Sequence, residues 1–224
     1  MKKGYIITVS LAACIMLYVL EQILAVDYAT KTAAKALLFT AAPFIYLKIV
    51  EKTSLKDSLS MVKLKGAPYG LELLLGAASF TGVFGMYILL GGYIDFDVIL
   101  NELRSKAQID VSNYVFIGIY IIIGNSFLEE LFFRGFIFLN LFKQGHRKLA
   151  YIYSSALFGI YHLAMLNTWI SPLLLGLAVT GLTIIGLVFD WLDSRSGNIV
   201  NSWIVHMLAD CALIIIGMNM FNII

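Results

Sequence analysis

The sequence predicts an all-α, polytopic membrane protein: a bundle of about seven transmembrane helices with its active site inside the bundle. Three observations lead there. Hydrophobic residues make up 60% of the 224 and charged residues only 13%, with a mean hydropathy of +0.88, a composition found in membrane-embedded chains rather than water-soluble ones. Apolar stretches near the length of a bilayer crossing, about 20 residues for a helix, recur along the chain. The intramembrane charge is concentrated: residues 124–136 read GNSFLEELFFRGF, two adjacent acids and a base inside an apolar run. A charge at the bilayer centre costs about 2.5–3.5 kcal/mol or more if it faces lipid, so such groups face a protein interior and mark a site.

Taken in order, the apolar stretches lie at about 4–26, 33–50, 69–93, 113–142, 149–167, 170–190 and 199–222. The first follows Lys2 and Lys3, as a signal peptide would, and Leu11-Ala12-Ala13-Cys14 resembles a lipoprotein cleavage box. Only about seven apolar residues precede that box, and the run continues to Leu20 and, past Glu21 and Gln22, to Val26. An uncleaved first span is therefore expected. The second stretch is short, and Pro43 is expected to kink it. The fourth exceeds a simple span and should tilt, bend or run past the membrane surface. Glu21 and Glu72 lie near span ends and are expected to snorkel to the interface. Gly176, Gly181 and Gly186 in the sixth fit close helix packing. Residues 1–224 are read as one integral-membrane domain, with N-terminal spans at about 4–93 and a motif-bearing core at about 113–222. Cys14 and Cys211 sit in apolar runs and are expected to be free thiols. No basic stripe or nucleic-acid motif is present, so a nucleic-acid partner is set aside. The partners expected are a lipid bilayer and a peptide or protein substrate.

The distribution of basic residues orients the layout, because cytoplasmic loops are enriched in Lys and Arg. With the N-terminus inside, the inner segments carry eleven: Lys2, Lys3, Lys48, Lys52, Lys56, Lys63, Lys65, Lys143, Arg147, Lys148 and Arg195. The outer segments carry four, Lys31, Lys35, Arg104 and Lys106, and Arg134 is intramembrane. Seven spans place the C-terminus outside, in a multi-pass protein of the cell membrane.

Within the fourth span, Glu130 and Arg134 are four residues apart and share a helix face. Glu129 is rotated by about 100° from Glu130 and has no partner on its own helix. Two carboxylates in unlike environments are the raw material of acid–base chemistry. A salt-bridged pair that only locks helices together is the alternative from spacing alone. Of the three histidines, His146 lies in a basic loop and reads as solvated. His162 lies in the fifth span, and His206 shares a helix face with Asp210 in the seventh. A lone intramembrane histidine is often an interhelical hydrogen-bonding group. Depth argues for more. Glu129 lies 14 residues before Lys143, and His162 lies 14 after Lys148, each about 21 Å from the inner boundary. His206 and Asp210 lie about 12 and 18 Å in from Asn198. Polar groups of three spans thus reach similar depth.

Glu129-Glu130-x-x-x-Arg134, Phe158-x-x-x-His162 and His206-x-x-x-Asp210, in that order on three hydrophobic spans, resemble the CAAX protease and bacteriocin-processing (CPBP, or Abi) family, related to the CAAX prenyl endopeptidases. The motifs cover residues 129–210. The resemblance implies intramembrane peptide-bond hydrolysis, with Glu129 and His162 activating a water. It also implies His206 and Asp210 at the substrate carbonyl and its developing oxyanion, and Glu130 paired with Arg134 to orient the helix. Relatives often carry Asn at the last position. An ionised Asp cannot donate to an oxyanion, so Asp210 is expected to orient His206, as a carboxylate fixes a histidine tautomer. A protonated Asp210 and an impaired site are the other readings. Glu129, His162 and His206 also form a competent ligand set for a divalent metal such as zinc. The compact H-E-x-x-H arrangement is absent, and a metal-free Glu/His mechanism uses the same residues. Two further functions stay open: a non-catalytic immunity or scaffold protein, and a small transporter with a polar relay.

Overall fold

A computed structural model describes residues 2–52 and 69–224 of the chain, and every regular element in them is helical. Among the described residues, seven helices are long and apolar enough to cross a membrane. They are α1 (Lys2–Ile23), α2 (Tyr28–Val50), α3 (Gly70–Tyr93), α5 (Tyr114–Lys143), α6 (Arg147–Leu166), α7 (Pro172–Ser196) and α8 (Val200–Met220). A shorter helix, α4 (Phe96–Ser105), stands between α3 and α5. The seven expected spans are found, with shifted ends. The second is not short: it has 23 residues, running through Pro43 and widening to π geometry over Tyr46–Val50. The sixth continues past its expected end at the buried Asp190, through the buried Asp193, to Ser196. Pro172 opens it with a preset φ, and Gly197 closes it at φ +70°, in the left-handed region that favours glycine. Of the expected inner basic residues, Lys56, Lys63 and Lys65 lie outside the described residues.

The fold is organised on α5. Phe132, Phe133, Phe136, Ile137 and Phe138 are each at most 1% exposed. A helix apolar on every side sits in a protein core or in lipid, and over this stretch the neighbouring helices enclose it. From α2, Phe39 stacks on Phe132 at 4.0 Å and meets Phe133 edge-on, while Tyr46 meets Phe136. From α6, Phe158 packs edge-on against Phe133 and Tyr151 against Phe138. Such aromatic pairs add about 0.5–1.5 kcal/mol each beyond their burial. The expected accommodation of the long span takes a specific form. Two π stretches, Tyr120–Asn125 and Glu130–Phe138, put more residues into each turn. α3 packs along α8 and is the least buried span. α4 is capped by Asp95, whose carboxylate accepts from the N–H groups of Asp97 and Val98. Its Leu100 and Leu103 cover Tyr114 and Phe221 at the ends of α5 and α8.

The ends of α1, α2 and α5 meet in one polar clasp. Lys2 pairs with Glu51 at 2.8 Å, Tyr46 donates to Glu51 at 2.6 Å, and Gln144 donates to the Tyr46 hydroxyl at 3.0 Å. The Lys2 bond, with help from Tyr46, holds Glu51 below its ordinary value.

Helices α6 and α7 cross closely at glycines. A methyl group on Gly186 would come within 3.1 Å of Ser155, and one on Gly159 would collide with the Thr183 hydroxyl and sit 2.8 Å from the Val179 carbonyl oxygen. Nothing lies within 4 Å of such a group at Gly176 or Gly181, so of the three glycines expected at helix contacts only Gly186 serves one. Gly159→Ala is accordingly expected to cost about 1–3 kcal/mol through overpacking. Gly176→Ala should be neutral or stabilising by up to about 1 kcal/mol. Thermal unfolding of the two variants in detergent checks the contrast; equal midpoints would refute the close crossing.

Candidate active site

Two adjacent glutamates on α5 sit where its α-helical turn Ser126–Glu129 passes into the π stretch Glu130–Phe138. Single π turns inside α-helices often mark functional sites. Both glutamates are buried, Glu129 at 3% and Glu130 at 0% exposure, and their carboxylates meet different partners.

Glu130 is held through one carboxylate oxygen, Oε1, while its Oε2 is buried without a hydrogen-bond partner among the described residues. Its Oε1 lies 3.3 Å from Nη1 of Arg134, one turn on, and 2.8 Å from Nδ1 of His206 on α8. Arg134 has no exposed surface. It donates to the Gly186 carbonyl at 3.4 Å, and its Nε lies 3.5 Å from Oδ1 of Asp190, an ion pair without a hydrogen bond. The rings of Phe158 and Phe189 cover the guanidinium at 4.2 and 4.9 Å, a cation–π sandwich. Ser154 donates to Asp190 at 3.0 Å. Asp193, one turn further along α7, accepts from the Ser202 hydroxyl at 2.8 Å and its N–H at 3.3 Å, fastening the start of α8.

Glu129 divides its oxygens. Oε1 accepts from the Lys35 ammonium at 2.5 Å and from the Asn125 amide at 3.1 Å. Oε2 has no hydrogen-bond partner among the described residues. It faces Nε2 of His162 and Nε2 of His206, each at 3.8 Å, too long for a direct hydrogen bond. Nε2 of His206 is also 3.8 Å from Oδ2 of Asp210, which is likewise buried and unpartnered.

Both imidazoles are fixed by their other nitrogen. His162 stands where the regular hydrogen bonding of α6 is interrupted, and its Nδ1 lies 2.7 Å from the Phe158 carbonyl. His206 has its Nδ1 on Glu130. A carbonyl and an ionised carboxylate only accept, so both Nδ1 atoms carry the proton and each Nε2 presents a lone pair when neutral. Phe158 packs edge-on against both rings, at 4.8 and 5.9 Å.

The residues singled out from the sequence therefore converge: Glu129, Glu130, Arg134, Phe158, His162, His206 and Asp210 form one buried cluster on α5, α6 and α8. His146 is exposed, as expected. Four expectations are corrected. Glu129 is not without a partner on its own helix, because Asn125 of α5 donates to it, and Lys35 reaches it from α2. Lys35 consequently does not belong with the outer basic residues; it is 7% exposed inside the bundle. The carboxylate that fixes His206 is Glu130 rather than Asp210, since the former is 1 Å closer to an imidazole nitrogen, 2.8 against 3.8 Å. Glu72 is buried rather than snorkelling, while Glu21 pairs with Lys31 at 2.6 Å near the end of α1.

Sequence reading missed Lys35, Asn125, Asp190 and Asp193. Asn125 had a signal, standing four residues before Glu129 on the same face. Lys35 had one too, as a lone cation within TAAKALLF. The two aspartates had none, because Asp190 read as the last residue of the sixth span and Asp193 as the loop after it.

Among the described residues, no group of three or more His, Cys, Asp or Glu side chains is arranged to hold a metal ion. Tetrahedral ligands about 2.0–2.1 Å from zinc must lie closer together than the 3.8 Å found here. The ammonium on Glu129 already places positive charge at that carboxylate. As placed, Glu129, His162 and His206 are set a few tenths of an ångström wider than the ligands of a tetrahedral zinc ion.

No curated protein and no solved structure matches this chain. A family model does: residues 111–212 match the family described as Rce1-like, type II CAAX prenyl endopeptidase Rce1-like. The matched segment carries every residue of the polar cluster except Lys35. Over that segment, which is under half of the chain, the protein is similar to the CAAX prenyl endopeptidases, and among the described residues seven helices are long and apolar enough to cross a membrane.

Proposed function

We propose that this protein is an intramembrane endopeptidase that hydrolyses a peptide bond in a peptide or membrane-associated protein, using Glu129 and His162 to activate water. One observation carries the reading: a free carboxylate oxygen and two imidazole Nε2 atoms face one another at 3.8 Å, each anchored from behind. Separations beyond about 3.5 Å suit bridging by a water. Such a water, bonded to Oε2 of Glu129 and Nε2 of His162, gives up a proton to the Glu129 carboxylate as its oxygen attacks the scissile carbonyl carbon. The carbonyl oxygen gains the negative charge. His206, on the other side of Oε2, meets that charge as an imidazolium that has taken its second proton from solvent before the reaction: Nδ1 stays on Glu130 and Nε2 donates to the oxygen. When the tetrahedral intermediate collapses, the C–N bond breaks and the proton taken from water passes to the leaving amine. Proton transfer by a positioned side chain contributes about 10²–10⁴-fold.

Glu130, Arg134 and Asp190 serve this chemistry from behind by holding His206. Phe158 walls both imidazoles. The basic-residue bias supports an orientation in the cell membrane with the N-terminus inside. No prenyl specificity is carried over to the substrate.

The test is His162→Gln. The His162 ring anchors only on a local carbonyl, so its loss strands no buried charge and the bundle should fold. Comparative mass spectrometry of membrane and secreted peptides from cells making either form should show products that vanish with the variant. Purified wild type should cleave such a substrate at least about 10²-fold faster. Identical peptide profiles would remove the peptidase reading in favour of an immunity or scaffold role.

A further inference from the structure

We propose that Lys35 is the positioning residue of this site: with Asn125 it clamps one carboxylate oxygen of Glu129 and so fixes the direction of the other. The proposal rests on the peptidase reading and deepens it. It concerns a helix, α2, that lies outside the segment matched to the family.

The geometry is a closed triangle. The Lys35 ammonium reaches Oε1 of Glu129 and Oδ1 of Asn125, both at 2.5 Å, and the Asn125 amide nitrogen reaches Oε1 at 3.1 Å. Asn125 thus accepts from the lysine with one atom and donates to the glutamate with the other, which fixes the way its amide points. Tyr161 and Phe39 wall the ammonium at 5.2 and 5.6 Å, leaving it little freedom to swing away. A carboxylate tethered through one oxygen in this way has its second oxygen aimed, and here the second oxygen is the one between the two imidazoles.

The charges point the same way. Glu129, Glu130, Asp190 and Asp210 are buried around the site, and among the described residues the buried cations are Arg134 and Lys35. Arg134 is engaged by Glu130 and Asp190 on the far side of His206. Lys35 is left to face Glu129. A buried ammonium is costly unless paired, and a long flexible side chain loses much rotamer freedom when held. A lysine serving only to fasten α2 to α5 would have no need to end on the one oxygen whose partner oxygen faces both histidines.

The experiment combines turnover with a stability cycle. Lys35→Met is expected to lower kcat at least about 10²-fold, the lower range for a misplaced catalytic group, with KM changed less than about 2-fold. Lys35→Arg should restore at least a tenth of wild-type kcat. In detergent, Lys35→Met should lower the unfolding midpoint by about 5 °C or more by stranding Glu129. Adding Glu129→Gln should recover at least half of that loss. Lys35→Gln serves the same purpose should the methionine variant fail to fold. Additive midpoint shifts would overturn the clamp, and so would coupled midpoints with kcat intact, which would make Lys35 a fastener only. Absence of cleavage by wild type is a different failure. It removes the peptidase reading and the positioning role with it, whatever the midpoints show.

Discussion

Glu129→Gln is expected to lower turnover about 10³-fold while leaving the bundle folded, whereas Glu129→Ala is expected to lose activity and stability together. The difference follows from the two oxygens. Gln keeps the volume and an oxygen that accepts from Lys35 and Asn125, so the clamp at Oε1 persists. It puts an amide in place of the base at the atom that faces His162 and His206. Ala removes both, and the buried Lys35 ammonium is left with neither a carboxylate nor an acceptor at residue 129, only the Asn125 amide oxygen. Breaking one partner of a buried ion pair costs about 3–5 kcal/mol. Monodispersity and unfolding midpoints in detergent, measured beside single-turnover rates on a cleaved peptide, check both halves. Wild-type turnover by Glu129→Gln would remove this residue from the chemistry. A wild-type midpoint for Glu129→Ala would remove its pairing with Lys35.

The largest stability effect is expected from Arg134→Met. Its guanidinium, wholly buried, pairs with Glu130 and Asp190 and reaches the Gly186 carbonyl. Removing it strands two carboxylates at about 3–5 kcal/mol for each broken pair, comparable to the about 5–15 kcal/mol by which ordinary domains are stable. The variant should therefore yield little folded protein. Arg134→Lys should rescue only in part, because a single ammonium cannot reproduce a planar fork that reaches two acids and a carbonyl. Neutralising the whole group, with Arg134→Met, Glu130→Gln and Asp190→Asn combined, should restore folded yield, since replacing a buried ion network by uncharged groups is often neutral. Yields after extraction and size-exclusion profiles report the outcome. Normal folded yield for the single variant would mean that the network contributes little to the fold.

The fold was legible because the bilayer imposes it. Seven apolar stretches, one nearly as long as it is odd, had to become helices, since the hydrocarbon interior offers no partner for open backbone groups. The ends were less legible, for a definite reason. Asp190 and Asp193 look like the end of a span and the start of a loop, yet their helix runs on, with Arg134, Ser154 and Ser202 from other helices pairing with them. Lys35 was misplaced for the same reason: a positive charge two residues into an apolar run is read as surface until its partner, 94 residues away, is known.

By itself, then, the sequence determined an all-helical membrane bundle, the pairing of Glu130 with Arg134 one turn apart, and the set of side chains that would share a depth. These are properties of periodicity and length, both local. Only the tertiary structure decided which glutamate oxygen is tethered and which is free, that Glu130 rather than Asp210 steadies His206, and that α2 contributes a cation to the site. Those outcomes depend on separations of a few ångströms between helices, and helix period and span length leave the rotation of each helix about its own axis undetermined.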